Sequence, residues 1–213
     1  MKNLKIKICG MKDPLNIHEI AGLGPDYMGF IFYPPSVRFV GDDFDPRDLE
    51  DLPVSVIKTG VFVNQGLEEI RGAVKRYKLD MVQLHGTESP AYCSLLREDI
   101  PVMKAFGIDE QFDFNKLNVY SLSCDYFLFD TQTGGHGGSG KKFDWNLLSR
   151  YQGALPFFLS GGISLSDIPS LAGLTEQYPM LYGIDLNSRF ETEPGKKDVA
   201  VLTQMFNTTK LNK

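Results

Sequence analysis

The feature of this chain that most limits what it can fold into is a strict alternation, repeated eight times, of a short apolar segment with an amphipathic one. The apolar segments are "LKIKICG" (4–10), "YMGFIF" (27–32), "VIKTGVFV" (56–63), "MVQLHG" (81–86), "VMKAFGI" (102–108), "YFLFD" (126–130), "FFLSGGI" (157–163) and "LYGIDL" (181–186). Each is rich in β-branched or aromatic residues, which suit a buried, pleated strand. The stretches that follow them, such as "LEEIRGAVKRY" and "KDVAVLTQMF", carry apolar residues at helical spacing. Helix starts are signalled at Asp13-Pro14, Asp45-Pro46 and Ser89-Pro90 as a cap followed by an N1 proline, and at Asp144 and Ser164 as further caps.

Eight βα units in 213 residues predict an α/β fold of the (β/α)8 TIM-barrel type, with residues 1–213 as a single domain. An open doubly wound sheet is the structural alternative. No linker, low-complexity tract or charge block marks a domain boundary. In a barrel, groups that do chemistry sit where each strand ends. Here the ends carry Cys9-Gly10, His85-Gly86, Asp130, Ser160-Gly161-Gly162 and Asp185.

Composition narrows the class of ligand. A net charge of -5 argues against a surface built to hold nucleic acid phosphates, and small metabolites fit better. No run of 18 apolar residues exists, so no membrane span is expected, and a cytoplasmic protein is. Cys9, Cys93 and Cys124 are an odd number without CxxC spacing, which indicates neither a disulfide framework nor a zinc finger.

Several motifs carry chemistry. The glycine-rich stretch "TGGHGGSGKKFDW" (133–145) nearly matches a nucleotide P-loop, but Lys142 stands where the magnesium-binding hydroxyl belongs. It reads better as a loop over a barrel mouth, and His136 within it is given no role. Cys9 sits on a rigid strand before a glycine, and alternation puts Lys7 on the same face, where a buried lysine needs anionic company. An unperturbed thiol has a pKa of about 8.5, and Lys7 is the nearest cation to lower it; a small buried residue is the plain reading of any cysteine, and Cys93 and Cys124 keep it. Asp130 ends an apolar strand, where desolvation raises the pKa of a carboxyl toward that of a general acid; a helix cap or an ion pair with Lys7 would also explain it. His85 is as consistent with a structural as with a catalytic role. "FLSGGIS" and "GIDLNSRFE" occupy the two loops that commonly form a phosphate site in barrels.

In order and spacing, "KICG", "GFIFYPPSVRFV", "GVFVN", "VQLHG", "FLFDT" with "GGSGKKFDW", "FLSGGI" and "GIDLNSRFE" resemble the phosphoribosylanthranilate isomerases of tryptophan biosynthesis over essentially the whole chain. The resemblance implies a cofactor-free and metal-free Amadori rearrangement of a small phosphorylated substrate by a monomer or homodimer, without nucleic acid or membrane. It assigns Asp130 as general acid and Cys9 as general base. It matches Arg38 to the anthranilate carboxylate, Gly161, Gly162 and Ser188 to the phosphate, and His85 and Asp185 to supporting positions. One departure is Arg189, where the family usually has glycine; it is expected either to reach the phosphate or to turn outward. The rival classes are a metal-dependent sugar-phosphate epimerase using His85, Asp130 and Asp185 as ligands, and a noncatalytic phosphate-binding barrel.

Overall fold

The computed structural model describes residues 4–132 and 142–211. Eight strands, β1 (Lys5–Cys9), β2 (Tyr27–Ile31), β3 (Ile57–Phe62), β4 (Met81–Leu84), β5 (Val102–Ile108), β6 (Tyr126–Thr131), β7 (Phe157–Leu159) and β8 (Leu181–Leu186), pair in chain order into a closed barrel. Closure comes from parallel pairing of β1 with β8, in register from Lys5 opposite Gly183 to Ile8 opposite Leu186. That pairing overturns the open-sheet alternative. β4 stops at Leu84 and β7 at Leu159, earlier than the apolar runs suggest. After β7 the reason is backbone: Gly161 and Gly162 have φ of 90° and 66°, which no strand accommodates.

The connections depart from the expected eight α-helices. True α-helices are α1 (Pro14–Ala21), α2 (Leu67–Tyr77), α3 (Pro90–Arg97), α4 (Ile168–Gln177) and α5 (Val199–Leu211). The segments Pro46–Leu49, Phe114–Tyr120 and Trp145–Arg150 are 3-10 turns instead. Cap geometry separates the two groups. Asp13 and Ser89 accept from the backbone N–H three residues on, at Asn16 and Tyr92, and launch α-helices. Asp45, Asp113 and Asp144 accept from the N–H two residues on, which tightens the first turn into the 3-10 ladder. Ser164 is the expected cap and forms a capping box with Asp167, whose carboxylate accepts from the Ser164 N–H and hydroxyl.

Strand alternation sorts the barrel interior into layers. Tyr27, Met81, Met103, Ala105, Leu128 and Phe158 fill the lower part as an apolar plug. Above it, toward the C-terminal ends of the strands, the inward positions turn polar, with Lys7, Gln83, Ser160 and Asp185 all buried. The outward faces pack against the helical shell in a second, larger cluster that includes Ile8, Phe30, Leu84, Phe129 and Leu186. After β8 the chain forms a small hairpin, β9 (Glu191–Glu193) with β10 (Lys196–Lys197), before α5.

Candidate active site

A cavity of about 240 Å³ opens at the C-terminal ends of the strands. Cys9, Arg38, His85, Asp130, Asp185 and Ser188 line it together with Gly161 and Gly162, so the residues singled out in the sequence meet in one place. Arg189 lines it as well. The glycine-rich positions 133–141, His136 among them, lie outside the described residues.

The floor is built from β1, β7 and β8. Lys7 is fully buried, and its Nζ donates to Asp185 Oδ1 at 2.8 Å. The second oxygen of Asp185 accepts from the Ser160 hydroxyl at 3.2 Å. The anionic company that Lys7 requires is therefore Asp185, set opposite it in the β1–β8 register, and not Asp130. Burial opposes the charged ammonium, but Asp185 and Cys9 outweigh it and leave the Lys7 pKa above its usual value.

Cys9 lies two residues along on the same face, 3% exposed. Burial pushes its thiol up and the Lys7 ammonium pulls it down, with burial prevailing. The expectation that Lys7 lowers the thiol below its ordinary value thus fails in sum: Lys7 offsets only part of the desolvation. Room for the pair comes from Gly29, which β2 sets beside Cys9. A Cβ there would stand 2.7 Å from Cys9 Sγ and 3.2 Å from Lys7 Nζ.

Across the cavity, Asp130 is 8% exposed and its pKa is raised to about 6, chiefly by burial, with Asp185 adding to the shift. The Thr131 N–H, donating to Oδ1 at 2.8 Å, and the distant charge of Lys7 act in the opposite sense. Asp130 neither caps a helix nor pairs with Lys7. Its Oδ2 faces His85 Nε2 at 3.6 Å, and His85 Nδ1 lies 3.2 Å from Gln83 Nε2. Two carboxyls in one pocket sit in different settings: Asp185 is paired with a cation, while Asp130 is desolvated.

The rim on the β2 side is an ion network. Arg38 directs Nε and Nη2 at the Glu191 carboxylate at 2.7–3.0 Å. Glu191 also accepts from Lys197 Nζ at 2.6 Å and from the Gly195 N–H at 3.1 Å. Lys197 in turn donates to Asn187 Oδ1 at 2.8 Å. Burial works to raise the Glu191 pKa, yet Arg38 and Lys197 hold it below the usual carboxylate range. Burial lowers the pKa of Lys197. Arg38 is thus clamped by a buried partner, in place of the exposed ion pair that is the plain reading of such a residue.

Gly161 needs its positive φ and its missing side chain, because a Cβ there would collide with Thr131 Oγ1 and stand 3.0 Å from Asp130 Oδ1. Ser188 and Arg189 lie in the 3-10 turn Ser188–Phe190. Asn64 and Lys78 are the non-glycine residues with positive φ among those described, so Arg189 stands in ordinary backbone and no glycine is needed there. Among the described residues no group of three or more His, Cys, Asp or Glu side chains is placed to hold a metal ion. His85, Asp130 and Asp185 line the cavity but do not form the ligand set that a metal-dependent epimerase would need.

Sequence reasoning missed Gln83, Asn187, Glu191 and Lys197. Gln83 was within reach, since it is two residues before His85 and on the inward face of β4. Glu191 and Lys197 carry no local signal: their role depends on the β9–β10 hairpin folding back over the mouth.

Residues 6–208 match the family model described as N-(5'phosphoribosyl)anthranilate (PRA) isomerase. The N-(5'-phosphoribosyl)anthranilate isomerase of Parabacteroides distasonis is 46% identical over 198 residues, covering 91% of this chain and 88% of that protein. The crystal structure of phosphoribosyl anthranilate isomerase from Thermus thermophilus superposes with a TM-score of 0.85 at 25% identity, covering 99% of this chain and 100% of the other. A phosphoribosyl anthranilate isomerase solved in complex with reduced 1-(o-carboxyphenylamino)-1-deoxyribulose 5-phosphate superposes with a TM-score of 0.81 at 29% identity, covering 97% and 98%. With its cavity built at the mouth of a closed eight-stranded barrel, this chain belongs to the N-(5'-phosphoribosyl)anthranilate isomerase family.

Proposed function

We infer that this protein isomerises N-(5-phosphoribosyl)anthranilate to 1-(2-carboxyphenylamino)-1-deoxyribulose 5-phosphate in L-tryptophan biosynthesis. The observation that carries the reading is the placement of a thiol, Cys9, and a carboxyl with a pKa of about 6, Asp130, on strands β1 and β6 of one cavity. An aldose-to-ketose rearrangement requires one acid and one base acting on a sugar held between them. The rearrangement is redox-neutral, so proton transfers suffice.

Asp130 donates its proton to the furanose ring oxygen. The C1–O bond breaks as the anilino nitrogen lone pair forms a protonated Schiff base. Cys9, as thiolate, then removes the proton from C2. The electrons of that bond move into C1–C2 and neutralise the iminium nitrogen, and the resulting enolamine tautomerises to the ketone. Burial raises the Asp130 pKa to about 6, so that a protonated fraction persists toward neutral pH, and Lys7 stabilises the thiolate when it forms.

Arg38 is proposed to bind the anthranilate carboxylate. Nε and Nη2 are committed to Glu191, which fixes the guanidinium plane against the cavity before substrate arrives. Gly161, Gly162 and Ser188 are assigned to the phosphate, with Arg189 beside them, while His85 and Asp185 support Asp130 and Lys7. We read the chain as one domain, a monomer or homodimer acting in the cytoplasm; no helix among the described residues is long and apolar enough to cross a membrane. The test is fluorescence-monitored consumption of phosphoribosylanthranilate by wild type, Cys9→Ser and Asp130→Asn. Turnover by wild type and its loss in both variants, with ligand binding kept, is expected. Equal rates in all three would overturn the mechanism.

A further inference from the structure

Gln83 has no part in the assignments above, yet it is 1% exposed, lines the cavity, and keeps a buried side-chain oxygen, Oε1, that has no hydrogen-bond partner among the described residues. A buried amide oxygen left unpaired loses its hydration without recompense, so an apolar residue at this position would make the more stable barrel. The amide nitrogen is used: Nε2 lies 3.2 Å from His85 Nδ1. An amide nitrogen only donates, so the Nδ1 it meets must accept. A neutral imidazole accepting at Nδ1 carries its proton on Nε2, the atom that faces Asp130 Oδ2 at 3.6 Å.

We propose that Gln83 is a positioning residue for the acid step: it holds His85 in the Nε2–H tautomer, so that a donor faces Asp130 once that carboxyl has given up its proton. The unpaired Oε1 fits the other half of the cycle. When Asp130 is recharged, a proton enters at Nδ1 and the Nε2 proton passes to the Asp130 carboxylate; the ring is left as the Nδ1–H tautomer, and a turn of the Gln83 amide presents Oε1 to accept from it. One side chain thereby matches both protonation states of the acid, which neither Glu nor an apolar residue does. Asp130 is also faced by Lys7 from β1, by Asp185 from β8 and by Ser160 beyond β7, and its own Thr131 N–H is fixed on Oδ1. Of these neighbours, His85 is the one that Gln83 touches.

This inference rests on the reading of Asp130 as the acid, and its first test needs no turnover. With three histidines in the chain, the imidazole nitrogens are resolvable by 15N NMR. Above pH 7, where Asp130 is ionised, His85 in wild type is expected as the Nε2–H tautomer, and Gln83→Met is expected to show a mixture of the two neutral tautomers. The same variant, having lost the held donor, should move the Asp130 limb of the kcat/KM profile to higher pH by about half a unit to one unit. Gln83→Glu places an acceptor against Nδ1 and is expected to draw the proton there, giving the Nδ1–H form or the imidazolium. A wild-type His85 found as Nδ1–H at that pH overturns the proposal, as does an unchanged tautomer with an unmoved limb in Gln83→Met. If instead the tautomers behave as expected and phosphoribosylanthranilate is not consumed, the fault lies with the proposed activity and not with Gln83.

Discussion

Asp130 and Cys9 hold their protons in an order opposite to the one their roles demand. The acid has a pKa of about 6, while burial pushes the base above the ordinary thiol value. The productive form, protonated acid with ionised base, is therefore a minor species in the free enzyme. Its fraction rises with pH up to about 6, stays level, and falls only above the thiol pKa. The kcat/KM profile should accordingly show an ascending limb near pH 6 that belongs to Asp130. A profile flat from pH 5 to 8 would contradict this. The same shift has a consequence for stability. A carboxyl whose folded pKa is raised favours the folded state below its unfolded pKa of about 3.8 and loses that contribution as pH rises through about 6. The difference is worth about 3 kcal/mol above pH 7. Asp130→Asn should thus melt higher than wild type at pH 7.5, with the gap closing toward pH 4, as followed by thermal unfolding. Lys7→Met removes the cation beside the thiol, and each unit of further rise in the Cys9 pKa cuts the productive fraction tenfold. We expect kcat/KM to fall on the order of 10–100-fold. The variant also strands the buried Asp185 at a cost of about 3–5 kcal/mol. Adding Asp185→Asn should recover much of that stability without recovering turnover, a split that chemical denaturation and the assay resolve together.

At the scale of the element, what matters is which position of one strand lies beside which of the next. Cys9 sits beside Gly29 because β1 and β2 pair from Lys7 opposite Tyr27 to Cys9 opposite Gly29. Gly29→Ala keeps a residue that strands tolerate but puts a methyl group 2.7 Å from Sγ. The thiol must shift, and displacement of a reacting group by about 1 Å costs on the order of 10²-fold in rate. A large drop in kcat with the circular dichroism spectrum retained is expected; undiminished kcat would show that the thiol position is not critical. Elements also explain what the sequence made legible. Period-two apolar runs and proline-marked caps sufficed for eight strands and the helix starts, because both signals are local. They could not separate α from 3-10 connections, since that depends on whether the Asp caps reach the second or the third N–H. Cys9, Asp130 and Asp185 were found because they interrupt apolar strands. Glu191 escaped because its partner Arg38 is 153 residues away, and Lys197 because its role follows from that of Glu191.

Across the whole molecule, stability and chemistry occupy different floors of the barrel. The lower plug is wholly apolar and aromatic, with Phe158 packed edge-on against Tyr27, Tyr126 and Tyr182 at centroid distances of 5.2–5.8 Å. Phe158→Ala should destabilise by about 3–5 kcal/mol in urea titrations. The kcat/KM of the fraction that remains folded should stay within a few-fold of wild type, and a collapse of both together would contradict the layering. The upper layer is held by ion pairs and is the less stable arrangement, as buried pairs generally are beside an apolar core.

The Lys7–Asp185 contact, finally, joins residues 178 apart in the chain across the seam where the last barrel strand meets the first. During synthesis from the N-terminus, Lys7 and Cys9 exist long before their counterpart does. A seven-stranded barrel would hold an ammonium in its interior with no anion opposite it, at a desolvation cost of several kcal/mol. Partial barrels are therefore penalised at the spot where the reacting thiol lies, and the last strand to arrive both seals the cylinder and completes the chemistry. A nascent or truncated chain lacking β8 should have neither a settled fold nor a working thiol, so that incomplete copies of this enzyme are silent and not sluggish.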